Sequence, residues 1–203
     1  TVNNVAIENS SNTISDALEN ITLNLNDVTT GNQTLTITQD TSKAQTAIKD
    51  WVNAYNSLID TFSSLTKYTA VDAGADSQSS SNGALLGDST LRTIQTQLKS
   101  MLSNTVSSSN YKTLAQIGIT TDPSDGKLEL DADKLTAALK KDASGVGALI
   151  VGDGKKTGIT TTIGSNLTSW LSTTGIIKAA TDGVSKTLNK LTKDYNAASD
   201  RID

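Results

Sequence analysis

The amino-acid sequence predicts a mixed α+β protein, in which an antiparallel helical bundle with a small β-hairpin follows a set of antiparallel strands. Residues 1–40 alternate apolar and polar side chains with a period of two, which is typical of strands with one buried face. After residue 40 the period lengthens to about 3.5 residues, which indicates amphipathic helices. An apolar alternation around the turn with Pro123 predicts a hairpin at about residues 116–130. We therefore expect strands in residues 1–40 and a helical domain in residues 41–203.

The strand region contains three short apolar alternations, at residues 5–7, 21–25 and 35–37. The loop between the second and third of them contains Gly and Asn and predicts a hairpin. Between the first two, residues 13–19 could form a single helical turn with a threonine as its cap. Three short strands cannot bury both faces of a sheet. We expect the missing strands to come from chain upstream of Thr1.

The helical region begins with two amphipathic segments. Asp40 and Asp88 are each suited to cap a helix, because a carboxylate can accept hydrogen bonds from free N–H groups of the first turn. Asp131 or Asp133 can cap a third helix after the hairpin, and a fourth short helical segment follows it. The apolar stripes of the first two helices consist of Ile48, Trp51, Tyr55, Leu58, Phe62 and Leu65, and of Leu91, Ile94, Leu98 and Met101.

The last helix carries two apolar series, each with a spacing of seven residues, that together form a heptad seam. A second long heptad-like helix lies far away in the chain, which predicts an antiparallel bundle lengthened by sequence beyond both ends. We expect Trp51 and Tyr55 to face this seam near Leu188, Leu191 or Tyr195. Trp170, like Trp51, lies on an apolar stripe and is expected in the core. The seam comprises Ile177, Val184, Leu188, Leu191, Tyr195, Ala198 and Ile202.

Composition excludes several classes of function. The 17 basic residues are outnumbered by 21 acidic ones, and only two are arginines, so nucleic-acid binding is not expected. No apolar run approaches the roughly 20 residues of a membrane span. The chain has neither His nor Cys, and so lacks the commonest general base and every thiolate ligand or nucleophile. We therefore expect no enzyme activity, no cofactor, and no catalytic, cofactor-binding or metal-binding residues.

Two motifs resemble ligand sites but depart from the required pattern. Asp122, Asp125, Glu129, Asp131 and Asp133 could supply carboxylates to Ca²⁺, yet they lack the spacing and the central glycine of a calcium loop. Turn and capping roles explain them without a metal. The segment at residues 152–157 resembles a phosphate-binding loop, but Leu149 stands where that motif needs its first Gly. Lys156 stands where it needs Ser or Thr, so we expect a surface turn.

Three segments, followed by the long heptad helix, carry a resemblance to a known family. They are an N-T-I-S-D-A turn before a Thr/Leu strand, an A-I-K-D-W-V-N-A-Y-N helix, and an I-G-I then G-K-L-E-L-D hairpin, within residues 12–23, 47–60 and 114–139. Their order and spacing resemble the C-terminal half of FliD, the family of bacterial flagellar filament-capping proteins, also called hook-associated proteins. The resemblance extends from the first to the last residue.

The resemblance implies a structural role. Such proteins form a ring-shaped homo-oligomer at the distal tip of the filament, where exported flagellin folds and inserts beneath the cap. They also prevent flagellin loss and are required for motility. Residues 1–40 would be the closing strands of a β-rich head domain, and residues 41–203 the helical leg domain, whose missing helix lies upstream. The implied partners are flagellin, the filament end and further copies of the chain, with export by the flagellar type III route to the exterior.

Two other structural proteins would share some of these features. A flagellin-like axial protein would also have helical legs, but long terminal helices rich in Gln, Asn and Leu are its hallmark. A surface adhesin stalk would share the polar surface and the heptads. Such a stalk should show repeated units with a fixed period.

Overall fold

The computed structural model describes residues 1–2, 5–19, 21–34, 36, 39–104, 106 and 109–201. The chain divides into two compact units, Thr1–Gln39 and Asp40–Asp203. The described residues form five α-helices and two small antiparallel sheets of two strands each. The predicted α+β fold class is therefore confirmed.

The first unit contains one two-stranded sheet. Strand β1 (Thr13–Leu18) pairs antiparallel with strand β2 (Ile21–Asn24), and Ile14 lies opposite Leu23 with a register irregularity before Leu18. Ile14 is the buried apolar residue of this unit among those described. Its position explains why the sheet has one apolar face.

Two predictions for this unit are wrong. Residues 13–19 do not form a helical turn, because an isolated turn is costly to nucleate whereas β1 gains a full set of pairings with β2. The predicted strand at residues 5–7 is also not formed in the described part of the chain, where Val5 makes only an isolated bridge to Val2. The predicted alternation at Leu35 and Ile37 lies outside the described residues.

The second unit is a helical bundle with one hairpin. A 3₁₀ turn (Leu114–Ile117) leads into the hairpin, and Gly118 (φ 88°) makes the left-handed connection between them. The hairpin strands pair antiparallel, Ile119 with Leu130 and Thr121 with Leu128, as the sequence predicts. In chain order the elements are α1 (Ser42–Thr66), α2 (Ser89–Ser103), β3 (Ile119–Thr121), β4 (Leu128–Leu130), α3 (Ala132–Ile150), α4 (Ile159–Leu171) and α5 (Ile176–Ser199).

The buried face of α1 is rotated slightly from the predicted stripe. Val52 and Ile59 are buried, whereas Trp51, Leu58 and Leu65 are half-buried and pack at the edge of the core. The second stripe is buried as predicted, in the form of Leu91, Ile94, Leu98 and Met101. The sequence gives the correct period for α1 but misplaces the centre of its apolar face by about one residue.

The predicted helix caps are confirmed at two positions and displaced at the third. The Leu91 N–H donates to Asp88 Oδ1 at 2.7 Å, and the Lys134 N–H donates to Asp131 Oδ1 at 2.9 Å. At the start of α1 the cap position is Thr41 instead of Asp40. Asp40 Oδ1 still accepts a hydrogen bond from the Ser42 N–H at 2.9 Å.

Helix α3 is interrupted at Asp142, whose backbone is non-helical (φ −157°, ψ 82°). Asp142 Oδ1 accepts a hydrogen bond from the Gly145 N–H at 2.7 Å, so its carboxylate restarts the second half of the helix. The buried Ser109 hydroxyl donates to the Gly145 carbonyl oxygen at 2.6 Å. The break falls between the two short helical segments that the sequence predicts.

The core of the second unit lies between α1, α2, α3 and the hairpin. Trp170 is buried, as predicted. Every described buried polar side-chain atom has a hydrogen-bond partner. The side chains with the least exposure are Leu98, Ile117, Ile119, Leu135, Val146 and Leu149.

Replacement of Leu98, which is 0% exposed, tests this core. We expect Leu98→Ala to lower the free energy of unfolding by about 2–5 kcal/mol, because it removes buried methyl groups and leaves a cavity. Leu171→Ala is the matched control, since Leu171 is 69% exposed, and it should change that free energy by about 0.5 kcal/mol or less. Guanidinium unfolding measures both; equal effects would contradict the assigned core.

Candidate functional site: an apolar groove and a projecting helix

The acidic residues around the hairpin serve its turn and its helix cap. Asp122 Oδ1 accepts hydrogen bonds from the Ser124 N–H at 2.7 Å and from its hydroxyl at 2.6 Å. These bonds, the hydroxyl bond first, lower the pKa of Asp122. Asp125 Oδ1 accepts the Lys127 N–H at 2.9 Å. Within the described ranges, no group of three or more acidic residues is placed to hold a metal ion.

The loop at residues 152–157 is occupied by its own aspartate. Asp153 Oδ1 accepts hydrogen bonds from three backbone N–H groups, those of Lys155 at 2.9 Å and of Lys156 and Thr157 at 2.8 Å. A phosphate in a phosphate-binding loop would take such donors. These bonds, with that from Thr157 the largest, hold the pKa of Asp153 well below its usual range.

The hairpin is fastened to α1 by side chains that the sequence analysis did not single out. The Asn56 side-chain amide donates to the Leu128 carbonyl oxygen at 2.9 Å, and its oxygen accepts the Leu128 N–H at 2.7 Å. The Tyr55 hydroxyl donates to the Gly126 carbonyl oxygen at 3.4 Å, and burial raises the pKa of this hydroxyl. Lys127 Nζ lies 2.6 Å from Asp60 Oδ1. The only sequence signal for this contact is an asparagine next to an apolar stripe.

This arrangement contradicts the predicted packing of the last helix. Tyr55 contacts the hairpin and not the α5 seam, and Trp51 is half-buried against the core of α1. The expected partners Leu188, Leu191 and Tyr195 are exposed. The prediction is wrong because the hairpin occupies the side of α1 that a two-helix pairing would need.

An apolar groove of about 520 Å³ lies where four helices meet. Its walls are almost entirely apolar side chains of α1, α2, α4 and the first half of α5, and its rim includes Leu85 and Leu171. The groove is open to solvent at Leu171 and Val184, which are 69% and 61% exposed. Its main apolar lining comprises Leu58, Phe62, Leu91, Ile94, Leu167, Trp170, Ile177 and Val184.

Helix α5 leaves the bundle beyond this groove. None of its residues is buried, and every described residue from Gly183 to Arg201 is exposed. The apolar side chains Val184, Leu188, Leu191 and Tyr195 nevertheless form one continuous stripe at heptad spacing. A helix of this length is only marginally stable in water without a packing partner. The groove and the stripe together form the candidate functional site, a surface that receives a helix.

The described residues therefore define an α+β assembly protein that presents an unpaired amphipathic helix. The family model for the C-terminus of flagellar hook-associated protein 2 matches residues 1–203, and the chain belongs to this family. The resemblance noted in the sequence is confirmed. No helix in the described part of the chain is long and apolar enough to cross a bilayer.

Individual relatives agree with the family assignment. The chain is 53% identical over 202 residues to flagellar hook-associated protein 2 of Salmonella typhimurium, covering 100% of this chain and 43% of the relative. It is 31% identical over 204 residues to the A-type protein of Pseudomonas aeruginosa, covering 100% and 41% respectively. The chain thus spans less than half the length of these relatives.

A solved structure shows the same fold. The D1-D2-D3 domains of the flagellar cap protein FliD from Escherichia coli match with 92% sequence identity and a TM-score of 0.66. The match covers 90% of this chain and 48% of that one. These comparisons favour the filament-cap interpretation over a flagellin-like axial protein or an adhesin stalk.

Removal of the Asn56 side chain tests the fastening of the hairpin. We expect Asn56→Ala to lower the free energy of unfolding by about 1–3 kcal/mol, because it leaves two backbone groups of the buried Leu128 without partners. Asn53→Ala, an exposed asparagine one turn earlier on α1, is the control and should be nearly neutral. Urea unfolding of the two variants would contradict this role of Asn56 if their midpoints coincided.

The Asp153 loop should make stability dependent on pH. The folded-state pKa of Asp153 lies below its unfolded value, so the stabilisation is complete above the unfolded value, near 3.9, and is lost as the pH falls below it. We expect Asp153→Asn to lower the melting temperature at neutral pH and to approach the parent protein as the pH falls below about 4. Melting curves over this range provide the test; a difference that is independent of pH would exclude the carboxylate as its cause.

Proposed function

We propose that this chain is part of a flagellar filament cap. The cap would be a ring-shaped homo-oligomer at the distal tip of the filament, where it promotes the folding and insertion of exported flagellin, prevents flagellin loss and is required for motility. The 92% identity to a flagellar cap protein over 90% of the chain is the observation that carries this proposal.

The proposal extends to location and partners. The protein would lie outside the cell at the flagellum tip, after export by the flagellar type III route, and would contact flagellin, the filament end and its own copies. Membership of the hook-associated protein 2 family supports association with the flagellum. The export route and the oligomer follow from the proposed role.

The two units would have separate tasks in the cap. Unit Thr1–Gln39 would supply the closing strands of a β-rich head domain, and unit Asp40–Asp203 would be the helical leg domain. The leg would be completed by a helix from another part of the longer chain that relatives possess. The exposed α5 stripe supports this helix, and so do the half-buried Trp51, Leu58 and Leu65, which are spaced seven apart along the edge of α1.

The work of the cap would be steric and conformational instead of catalytic. The sequence contains no His and no Cys, which are common in catalytic sites. Asp122, Asp125, Asp131 and Asp153 act in turns and helix caps, where their carboxylates bind backbone N–H groups. Ser, Thr and Asn make up 71 of the 203 residues and give a wettable neutral surface.

Two charges placed in the α5 stripe test the proposed helix pairing. We expect Leu188→Asp with Leu191→Asp, introduced in the chromosomal gene, to abolish swimming and leave flagellin in the medium as monomer. Each carboxylate would have to be desolvated in an apolar seam without a partner, which costs several kcal/mol, about 2 or more each. Swimming rings in soft agar and flagellin in the culture supernatant are the readouts, with protein levels checked by blot.

The matched control places the same charges on the other side of α5. Asn189→Asp with Asn196→Asp adds two carboxylates at exposed positions away from the stripe and should leave swimming intact. Loss of swimming in both variants would count against a specific role of the seam. Normal swimming of the Leu188, Leu191 variant would show that the stripe is not needed for capping.

A further inference from the structure

The projecting half of α5 carries a basic face, which we define as Lys186, Lys190 and Lys193. Their spacing of four and three residues places the three side chains on one strip of the helix, about 10 Å long at 1.5 Å per residue. At 100° per residue this strip lies on the side opposite the Leu188 and Leu191 stripe. The helix therefore has two faces of different chemistry, and a partner on the apolar stripe leaves the lysines uncovered.

The basic face is not neutralised within the chain. The ion pairs in the described residues are Lys127 with Asp60 and Lys178 with Asp182, and neither includes a lysine of this face. Like charges three or four residues apart on a helix repel one another and weaken it. The helix dipole does not offset this, because its effect is confined to the last turn, which holds no basic residue.

The basic face also differs from the rest of the protein surface. The polarity of the chain comes mainly from short neutral side chains, and its net charge is −4. The exposed segment from Gly183 to Arg201 has the opposite balance, with four basic and two acidic residues. Repulsive charge at a fully exposed helix suits a surface that meets an external acidic group.

We propose that the basic face of α5 docks on an acidic protein surface of the filament subunits beneath the cap, an inference that rests on the proposed function. A lipid surface fits less well, because a helix lying on a membrane buries its apolar stripe and would direct these lysines away from the headgroups. In the docked arrangement, the apolar stripe takes the helix that completes the leg and the lysines take the filament. The contact is electrostatic and exposed, so it can release and re-form.

Charge reversal of the three lysines tests the docking. Lys186→Glu, Lys190→Glu and Lys193→Glu are combined in the protein as the cell produces it, and binding to purified, sheared filaments is measured by co-sedimentation. We expect about tenfold weaker binding at about 50 mM salt, and a smaller difference at about 300 mM, because salt screens exposed charges. The matched control reverses Lys43, Lys49 and Lys140, which are also exposed and helical, and should bind like the parent protein.

The remaining outcomes separate the alternatives. Arginine at the same three positions should retain binding, since it keeps the charge. Unchanged binding of the reversed variant, or equal losses in the reversed and control variants, would overturn the proposal. Binding to phosphatidylglycerol vesicles that charge reversal abolishes, with filament binding unaffected, would assign the basic face to lipid instead. Failure of the parent protein itself to bind filaments would count against the proposed function, which makes the two failures distinguishable.

Discussion

The paired hydrogen bonds between the Asn56 side chain and the Leu128 backbone fix the geometry on which the rest of the helical unit depends. A two-stranded hairpin is at best marginally stable alone, and here its outer backbone groups are satisfied by a side chain of α1. The hairpin consequently closes the core over Ile117 and Ile119, which are almost fully buried. Because it occupies that side of α1, the last helix has to pack elsewhere.

The last helix is the consequence of this arrangement. Its first turns close the groove against α2 and α4, and its remainder extends beyond the bundle with no buried side chain. The resulting surface is apolar on one side and basic on the other, in a protein that otherwise presents neutral polar groups. Such a helix suits a protein that acts by contact with other chains, as membership of a flagellar hook-associated family suggests.

The parts of this structure that the sequence predicts are those governed by local rules. The caps at Asp88 and Asp131, the hairpin around Pro123 and the buried stripe of α2 each follow from residues within a few positions of one another. The errors involve distant partners. Residues 13–18 pair as a strand because β2 lies beside them, and α5 fails to meet Tyr55 because the hairpin binds there first.

The candidate site follows the same division. The heptad spacing of Val184, Leu188 and Leu191 is visible in the sequence, but periodicity cannot tell whether such a stripe is covered within the chain or open to solvent. Asn56 gives almost no signal, since its role is defined by a backbone 72 positions away. Polar residues that bind distant backbone groups are therefore the features that pattern analysis misses most readily.

The exposure of α5 from Gly183 onward has a consequence for the order in which the protein gains structure. Segments with few packed contacts open most often in the native state, so the amide protons of this half-helix should exchange with solvent long before those of α2. Its conformational entropy is then lost only when a partner helix arrives. Folding of this segment and assembly thus become one thermodynamic step, and such coupling favours specific but reversible attachment at a growing end.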